Sequence, residues 1–310
     1  MGQKTSSIMP PLRTTDGIGP SRVRIPAGPW KNILEYLEER FPKVESATWI
    51  SRMRKGEVVD EHGIPLGAEN PCRSGTFIFY YREPENETYI PFEESILCLD
   101  DHILVADKPH FLPVIPSGRF LRETLLVRLK KRLMLENLVP LHRIDRETAG
   151  IVMFSCNPET RKSYASLFTK HEVRKVYEAL APTLPGDHFP MTRRSCLVKG
   201  EPFFRMKEVE GIANSETSID VVENIGAITL YRLIPVTGRQ HQLRVHCAAL
   251  GIPIVNDKFY PELQPCKEDD FSSPLQLLAR SIAFRDPLTG QERYFESTRK
   301  LDRRGGREKK

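Results

Sequence analysis

The sequence predicts an α+β protein: a mixed, mainly antiparallel sheet with flanking helices, preceded by a small N-terminal α/β module. Two observations carry that class. Short apolar runs recur in neighbouring pairs around turn signals, as at 218–223 and 227–233 about Asn224-Ile225-Gly226. Helical spacing is confined to a few stretches, among them Leu125, Leu126, Leu129 and Leu133. Size and composition agree, since 310 residues with 39% hydrophobic and 28% charged side chains suit one large or two smaller domains with a sizeable core.

Residues 1–29 mix Pro, Gly, Ser and Thr without periodicity and are expected to be extended or partly disordered. Helical spacing begins with Ile33, Leu34, Leu37 and Phe41, and Ser46 heads a second short helix through Trp49, Ile50 and Met53. Strands at 56–60 and 75–81 complete a module over 30–82, and the polar stretch 83–95 reads as a linker. Two strands, 95–99 and 102–107, turn at Asp100-Asp101. The leucine helix that follows carries Arg128, Lys131 and Arg132 on its other face, which suits either solvent or RNA. Asn157-Pro158 starts a helix to about Lys170, and 175–180 alternates like a strand. Residues 181–215 read as loop-rich.

Net charge is +5, and residues 299–310 hold that whole excess, with seven basic and two acidic groups. The rest of the chain is neutral, so affinity for a polyanion has to come from local patches. The run 299–310 is expected to be a disordered basic tail. Six scattered cysteines form no C-x-x-C pair and no zinc spacing, which fits reduced thiols in a cytoplasmic protein. No apolar run reaches the length of about 18 residues needed to span a membrane, and no basic-then-apolar signal pattern opens the chain.

Polar chemistry is densest at Leu141-His142-Arg143-Ile144-Asp145-Arg146-Glu147-Thr148-Ala149-Gly150, directly before the apolar run 151–155. A carboxylate within about 4–6 Å of a guanidinium has its charged form favoured, which would make Asp145 a nucleophile or a base. The same pattern also serves an aspartate that closes a turn on an arginine. The second dense stretch is 235–246. Thr237 and Gln240 have capping-box spacing, which predicts a helix from there to near Gly251 with Arg239, Gln240, His241 and Arg244 in its first two turns. Arginines at a helix N-terminus suit a carboxylate or phosphate. His241 and His246 are five apart and miss the i, i+4 spacing of a helical metal pair, so no metal site is expected.

In this order, the motifs of residues 96–298 resemble the RluA-type RNA pseudouridine synthases. The resemblance is carried by Ile96 through Pro109, by His142-Arg143-Ile144-Asp145-Arg146, by Lys175-Val176-Tyr177, and by Thr237 through His246 continuing to Asp257. Residues 30–82 resemble the S4 RNA-binding domain, through Arg52-Met53-Arg54-Lys55-Gly56-Glu57-Val58. The resemblance implies a pseudouridine synthase fold with a cleft between the Asp145 loop and the Arg244 helix. It implies an isomerase acting on a flipped-out uridine in structured RNA, with large-subunit (23S-type) ribosomal RNA favoured over transfer RNA. No cofactor and no metal are implied, and monomer is the default state.

The catalytic residues implied are Asp145, Tyr177 stacked on the target base, and Arg244 paired with the aspartate; whether Asp145 attacks sugar or base stays open. RNA contacts are expected from Arg143, which would fill the space of the flipped base, and from Arg146, Arg239, His241, Arg52, Arg54 and Lys55. The chain departs from the family pattern with Ile144 for Leu, Ala149 for Ser, and Leu277-Leu278-Ala279 where Leu-His-Ala is usual. Two other classes compete. One is an RNA-binding or chaperone protein that keeps the scaffold without relying on catalysis. The other is a hydrolase using Asp145 with His142 or His241, for which no G-x-S-x-G elbow or paired-carboxylate motif appears.

Overall fold

The computed structural model describes residues 11–14, 17–82, 87–186, 188–265 and 270–303. The chain divides into two units: one holds the residues up to Glu87 with Gly118–Arg122 and Lys130–Glu136, the other Thr88–Ser117, Glu123–Leu129 and the chain from Asn137 onward.

In the first unit, β1 (Ser21–Arg24) precedes helices α1 (Ile33–Arg40) and α2 (Ser46–Arg54), followed by β2 (Val58–Asp60) and β3 (Phe77–Tyr80). The strands form an antiparallel sheet in the order β1-β3-β2. Asn32 starts α1 by accepting the N–H of Glu35 at 2.9 Å, and Glu35 reaches back to accept the N–H of Lys31 at 2.8 Å, a reciprocal cap. Gly56, at φ +72°, ends α2 by letting Glu57 N–H return to the carbonyl of Arg52. Ile25, Ile33, Tyr36, Leu37, Trp49, Met53, Val58, Ile78 and Tyr80 fill the core. Within the segment expected to be extended or partly disordered, residues 21–24 are an ordered strand, because Val23 and Ile25 find β3 and this core to pack on.

The second unit begins with β4 (Ser95–Leu99) and β5 (Ile103–Lys108). Of α3 (Leu125–Leu133) this unit holds Leu125–Leu129; then come β6 (Val139–Pro140), β7 (Ala149–Ser155), α4 (Arg161–Thr169), β8 (Arg174–Pro182), β9 (Met191–Lys199), β10 (Met206–Val209), β11 (Ser215–Asn224), β12 (Ile228–Pro235), α5 (Gln242–Ala249), β13 (Leu277–Arg285) and β14 (Glu292–Glu296). Its sheet runs β10-β9-β11-β12-β8-β13-β7-β5-β4, with β14 on β13 and β6 on β7. Every pairing is antiparallel except β13 with β7. β5 and β7 are buried along their whole length, as the apolar runs 103–106 and 151–154 require of central strands, and β5 ends in the buried charges Asp107 and Lys108.

Four expectations are corrected. Residues 181–215 contain β9 and β10, hidden in the sequence because charged side chains stand on both faces, Arg193 and Glu208 half-buried and Arg194 and Lys207 exposed, which blurs the apolar alternation. Arg128 does not lie on a solvated face: its guanidinium donates to the carbonyls of Ile90 (2.6 Å) and Phe92 (2.7 Å) and pairs with Glu94 and Glu123. Those bonds pin the later part of the expected linker, where Ile90 is fully buried, while 83–86 lie outside the described residues. Residues 299–303 are packed and not free. Arg299 donates to the carbonyls of Glu93 (2.6 Å) and Asp107 (3.0 Å), Leu301 is buried, and Arg303 pairs with Glu223 at 2.8 Å. Residues 304–310 of that run lie outside the described residues.

Candidate active site

The loop carrying Asp145 leaves the sheet where β7 starts, and one glycine fixes that point. Gly150 has φ +109°, and a Cβ there would stand 2.2 Å from the carbonyl oxygen of Ala279 on β13, so only glycine allows the close approach. The loop is then gripped by the end of β5 and the segment that follows it. Buried Lys108 donates from Nζ to the carbonyls of Arg146 (3.0 Å) and Pro109 (2.9 Å). Arg146 returns a bond from Nε to the carbonyl of Phe111 (2.9 Å), and His110 Nδ1 meets the carbonyl of Glu147 (2.7 Å). Burial drives the Lys108 pKa down to about 7, against the pull of Glu147 and Asp145. His142 stacks on Phe168 and accepts the N–H of Met153 through Nε2 at 3.1 Å; burial lowers its pKa to about 3, so it is a neutral structural acceptor.

Opposite the loop stands Arg244 on α5, 2% exposed. Its Nη1 lies 3.2 Å from Asp145 Oδ2, and its Nε and Nη2 make a two-pronged pair with Asp257 at 2.7 and 2.6 Å. Asp257 Oδ1 also accepts the N–H groups of Phe259 (2.8 Å) and Tyr260 (3.1 Å), so its carboxylate is fully used. Those two rings lie beneath the guanidinium, 4.7 and 5.4 Å from its carbon. Burial opposes the charge on Arg244, but the bonds to Asp257 and the field of Asp145 outweigh it and hold the guanidinium protonated beyond its ordinary range. His241 points Nε2 at Asp145 Oδ1 from 3.8 Å and binds Tyr260 Oη through Nδ1 at 2.9 Å. Burial lowers its pKa despite Asp145.

These groups line a cleft of about 1000 Å³ together with Tyr177, Lys175, Arg143, Thr237, Gly238 and Arg239, large enough for a nucleotide-sized ligand. Burial, and then the charge of Asp145, raise the Tyr177 pKa, so the ring stays a phenol. Arg143 is exposed and makes no hydrogen bond or ion pair among the described residues. Arg239 is anchored by Nε to the carbonyl of Asn214 at 3.1 Å.

Several site expectations change. Thr237 does not cap a helix. Its Oγ1 accepts the N–H of Glu216 (2.9 Å) and donates to Gln242 Oε1 (2.6 Å), so α5 starts only at Gln242 behind His241 at φ +52°. Arg239, Gln240 and His241 thus form a loop on the cleft wall, and only Arg244 sits on the helix. His241 faces Asp145 instead of an open RNA surface. Arg146 is engaged by Phe111 and Glu147. Arg52 is 6% exposed and lies over the Trp49 ring at 5.1 Å, since an arginine stem in the core face of α2 is drawn onto the nearest aromatic; Arg54 and Lys55 remain exposed. Asp257 and Lys108 are the cleft-building charges that the sequence does not single out, although both lie inside the motif stretches. Among the described residues, no group of three His, Cys, Asp or Glu is placed to hold a metal, and no helix is long and apolar enough to cross a membrane.

The mixed sheet thus presents an arginine-paired aspartate beside a tyrosine in a cation-rich cleft. The family model described as RNA pseudouridylate synthase matches residues 102–249. The dual-specificity RNA pseudouridine synthase RluA of Haemophilus influenzae is 30% identical over 221 residues, 69% of this chain and 95% of that protein. The mitochondrial tRNA pseudouridine(32) synthase of Saccharomyces cerevisiae is 30% identical over 239 residues, 74% of this chain and 50% of that one. The solved structure of human RNA Pseudouridylate Synthase Domain Containing 4 superposes with TM-score 0.52 at 26% identity, covering 68% of this chain and 89% of the other. The chain belongs to the RNA pseudouridylate synthase family, of the RluA type, and is an RNA pseudouridine synthase, an isomerase.

Proposed function

We propose that Asp145 is the catalytic aspartate, acting on a uridine flipped into the cleft of a structured RNA. The observation that carries this reading is the ion pair from Arg244 to Asp145, braced from behind by Asp257. A braced guanidinium fixes the carboxylate in place, as attack on the nucleoside or abstraction of a proton from it requires. Cleavage of the glycosidic bond, rotation of the base and rejoining through C5 follow within one closed site. Arg244 positions Asp145, and Tyr177 meets the base as a phenol, with a face for stacking and an O–H to donate. Unpaired Arg143, at the mouth, fills the gap that the flipped base leaves in the RNA stack, offsetting part of an unstacking cost of a few kcal/mol.

Arg54 and Lys55, exposed at the end of α2, take phosphates in an S4-like role; Arg52 is withdrawn from that set by its burial. Residues 30–82 would act as the RNA-binding module and 96 onward as the catalytic domain. An S4-like unit favours large-subunit ribosomal RNA, while the relatives' names attach both dual specificity and transfer RNA to the family. The five described cysteines are free, which supports a cytoplasmic, reducing setting.

The test is tritium release from C5-labelled uridine in bulk ribosomal RNA and, separately, transfer RNA, with wild type against Asp145→Ala. Release from one RNA, abolished in the variant, is the expected result. Release by the variant at the wild-type rate would remove Asp145 from the chemistry. Binding without release by the wild type would favour the RNA-binding protein instead.

A further inference from the structure

Five cationic side chains and one carboxylate line the described cleft. Arg244 is paired with Asp145 and Asp257 and Arg146 with Glu147, while Arg239 is exposed and held at Nε by the carbonyl of Asn214. Arg143 is unpaired but exposed to water. Lys175 is different. It is half-buried in the cleft wall, yet its ammonium makes no hydrogen bond or ion pair among the described residues. Burial alone accounts for its lowered pKa, so no carboxylate compensates it. A partly desolvated cation without a partner is costly, and an anionic ligand would relieve that cost.

The register identifies the anion. Lys175 and Tyr177 are two apart on β8, so their side chains leave the same face of the strand, separated by about 7 Å. The Lys175 ammonium ends beside the turn at Gly238, where a Cβ would stand 3.7 Å from Nζ and where glycine leaves that flank of the ammonium open. A nucleotide whose base lies on Tyr177 carries its phosphate away from the ring by about one ribose, a span that matches the separation of Tyr177 from Lys175.

We propose that Lys175 and the Gly238 turn form a subsite for a backbone phosphate flanking the target uridine. This rests on the assignment of the uridine to the face of Tyr177. The lysine is a binding and specificity residue: it pays no part in bond making, and holds the nucleotide by the group that distinguishes RNA from a free nucleoside.

The experiment compares uridine with uridine 5′-monophosphate and 3′-monophosphate, by ligand-detected NMR titration of the full chain, in wild type, Lys175→Gln and Lys175→Arg. One of the monophosphates is expected to bind wild type about tenfold more tightly than uridine, the scale of one charge-assisted contact. Lys175→Gln should erase that preference while uridine binds as before, and Lys175→Arg should keep most of it, which also shows that the strand tolerates substitution. In tritium release from RNA, Lys175→Gln should raise KM about tenfold with kcat within about twofold, since a contact made equally before and during reaction changes binding alone. Equal binding of uridine and both monophosphates to wild type overturns the proposal, as does a preference that survives in Lys175→Gln. If wild type prefers the phosphate through Lys175 but releases no tritium from any RNA, the reaction assigned to the cleft fails and the phosphate subsite stands.

Discussion

At the scale of single residues, Asp257 governs the cleft without facing the substrate. Its carboxylate is about 1% exposed and receives four donors, two of them from Arg244. Replacing it with asparagine keeps the volume but leaves a buried guanidinium short of charge, which costs about 3 kcal/mol. Urea unfolding of Asp257→Asn should show that loss. The same change frees Arg244 to shift from Asp145, and a misplacement of about 1 Å can cost on the order of 10²-fold in rate. Tritium release should therefore fall chiefly in kcat. A variant with full stability and wild-type kcat would mean that Asp145 is held by other groups. Arg244 was legible in the sequence because it sits in a dense basic motif. Asp257 was not, since its role depends on a loop that brings a residue thirteen positions later beneath the guanidinium. Lys108 was hidden for the same reason: a lysine beside a proline carries no sign that it reaches the Arg146 carbonyl thirty-eight residues away.

At the scale of elements, the parallel contact of β7 with β13 sets where the Asp145 loop begins, and it joins two departures that the sequence shows only separately. Ala149, where the family pattern has Ser, lies in register with Leu278, where the pattern has His. Both are fully buried in one cluster with Leu180, Ile228, Leu230 and Leu301. Both positions that are polar in the family pattern are apolar here and face each other, so neither leaves an unsatisfied group behind. Leu278→His should then cost about 3 kcal/mol, through lost apolar burial and an imidazole without a partner. Adding Ala149→Ser should restore about 1 kcal/mol of it in a double-mutant cycle read by thermal or urea unfolding. Strict additivity of the two changes would refute the pairing. Strand and helix identities were mostly legible here from apolar period, as in β5, β7 and α4. The start of α5 was not, because Thr237 had two possible uses and tertiary contact with β11 took its hydroxyl.

At the scale of the whole molecule, the second unit depends on imidazoles kept neutral inside it. Burial lowers His142 to about 3, and His110 and His246 to about 4, from an ordinary 6.5. His246 is completely buried and is held by Thr217 through Nδ1 at 3.0 Å and by Ser215 and Ser195 through Nε2 at 3.0 and 3.1 Å. The sequence placed His246 in a motif but did not show that β9 and β11 close over it, since β9 itself was hidden. The sign of the pH effect follows from proton counting. Between about pH 4 and 6.5 the unfolded chain protonates these rings and the folded chain does not, so the unfolded state binds more protons and stability rises with pH across that window. Each ring contributes up to about 1.4 kcal/mol per pH unit there. Lys108 extends the rise, because its folded value of about 7 lies below an ordinary 10.5, and the unfolded chain holds the extra proton between those limits. The chain should therefore lose stability steeply on acidification below about pH 6.5, well before its carboxylates titrate. His246→Gln keeps a donor and an acceptor for the three hydroxyls but cannot titrate. Urea midpoints from pH 4.5 to 6 should give this variant a slope smaller than wild type by about one proton, while an identical slope would place the acid sensitivity elsewhere than in the buried imidazole of α5.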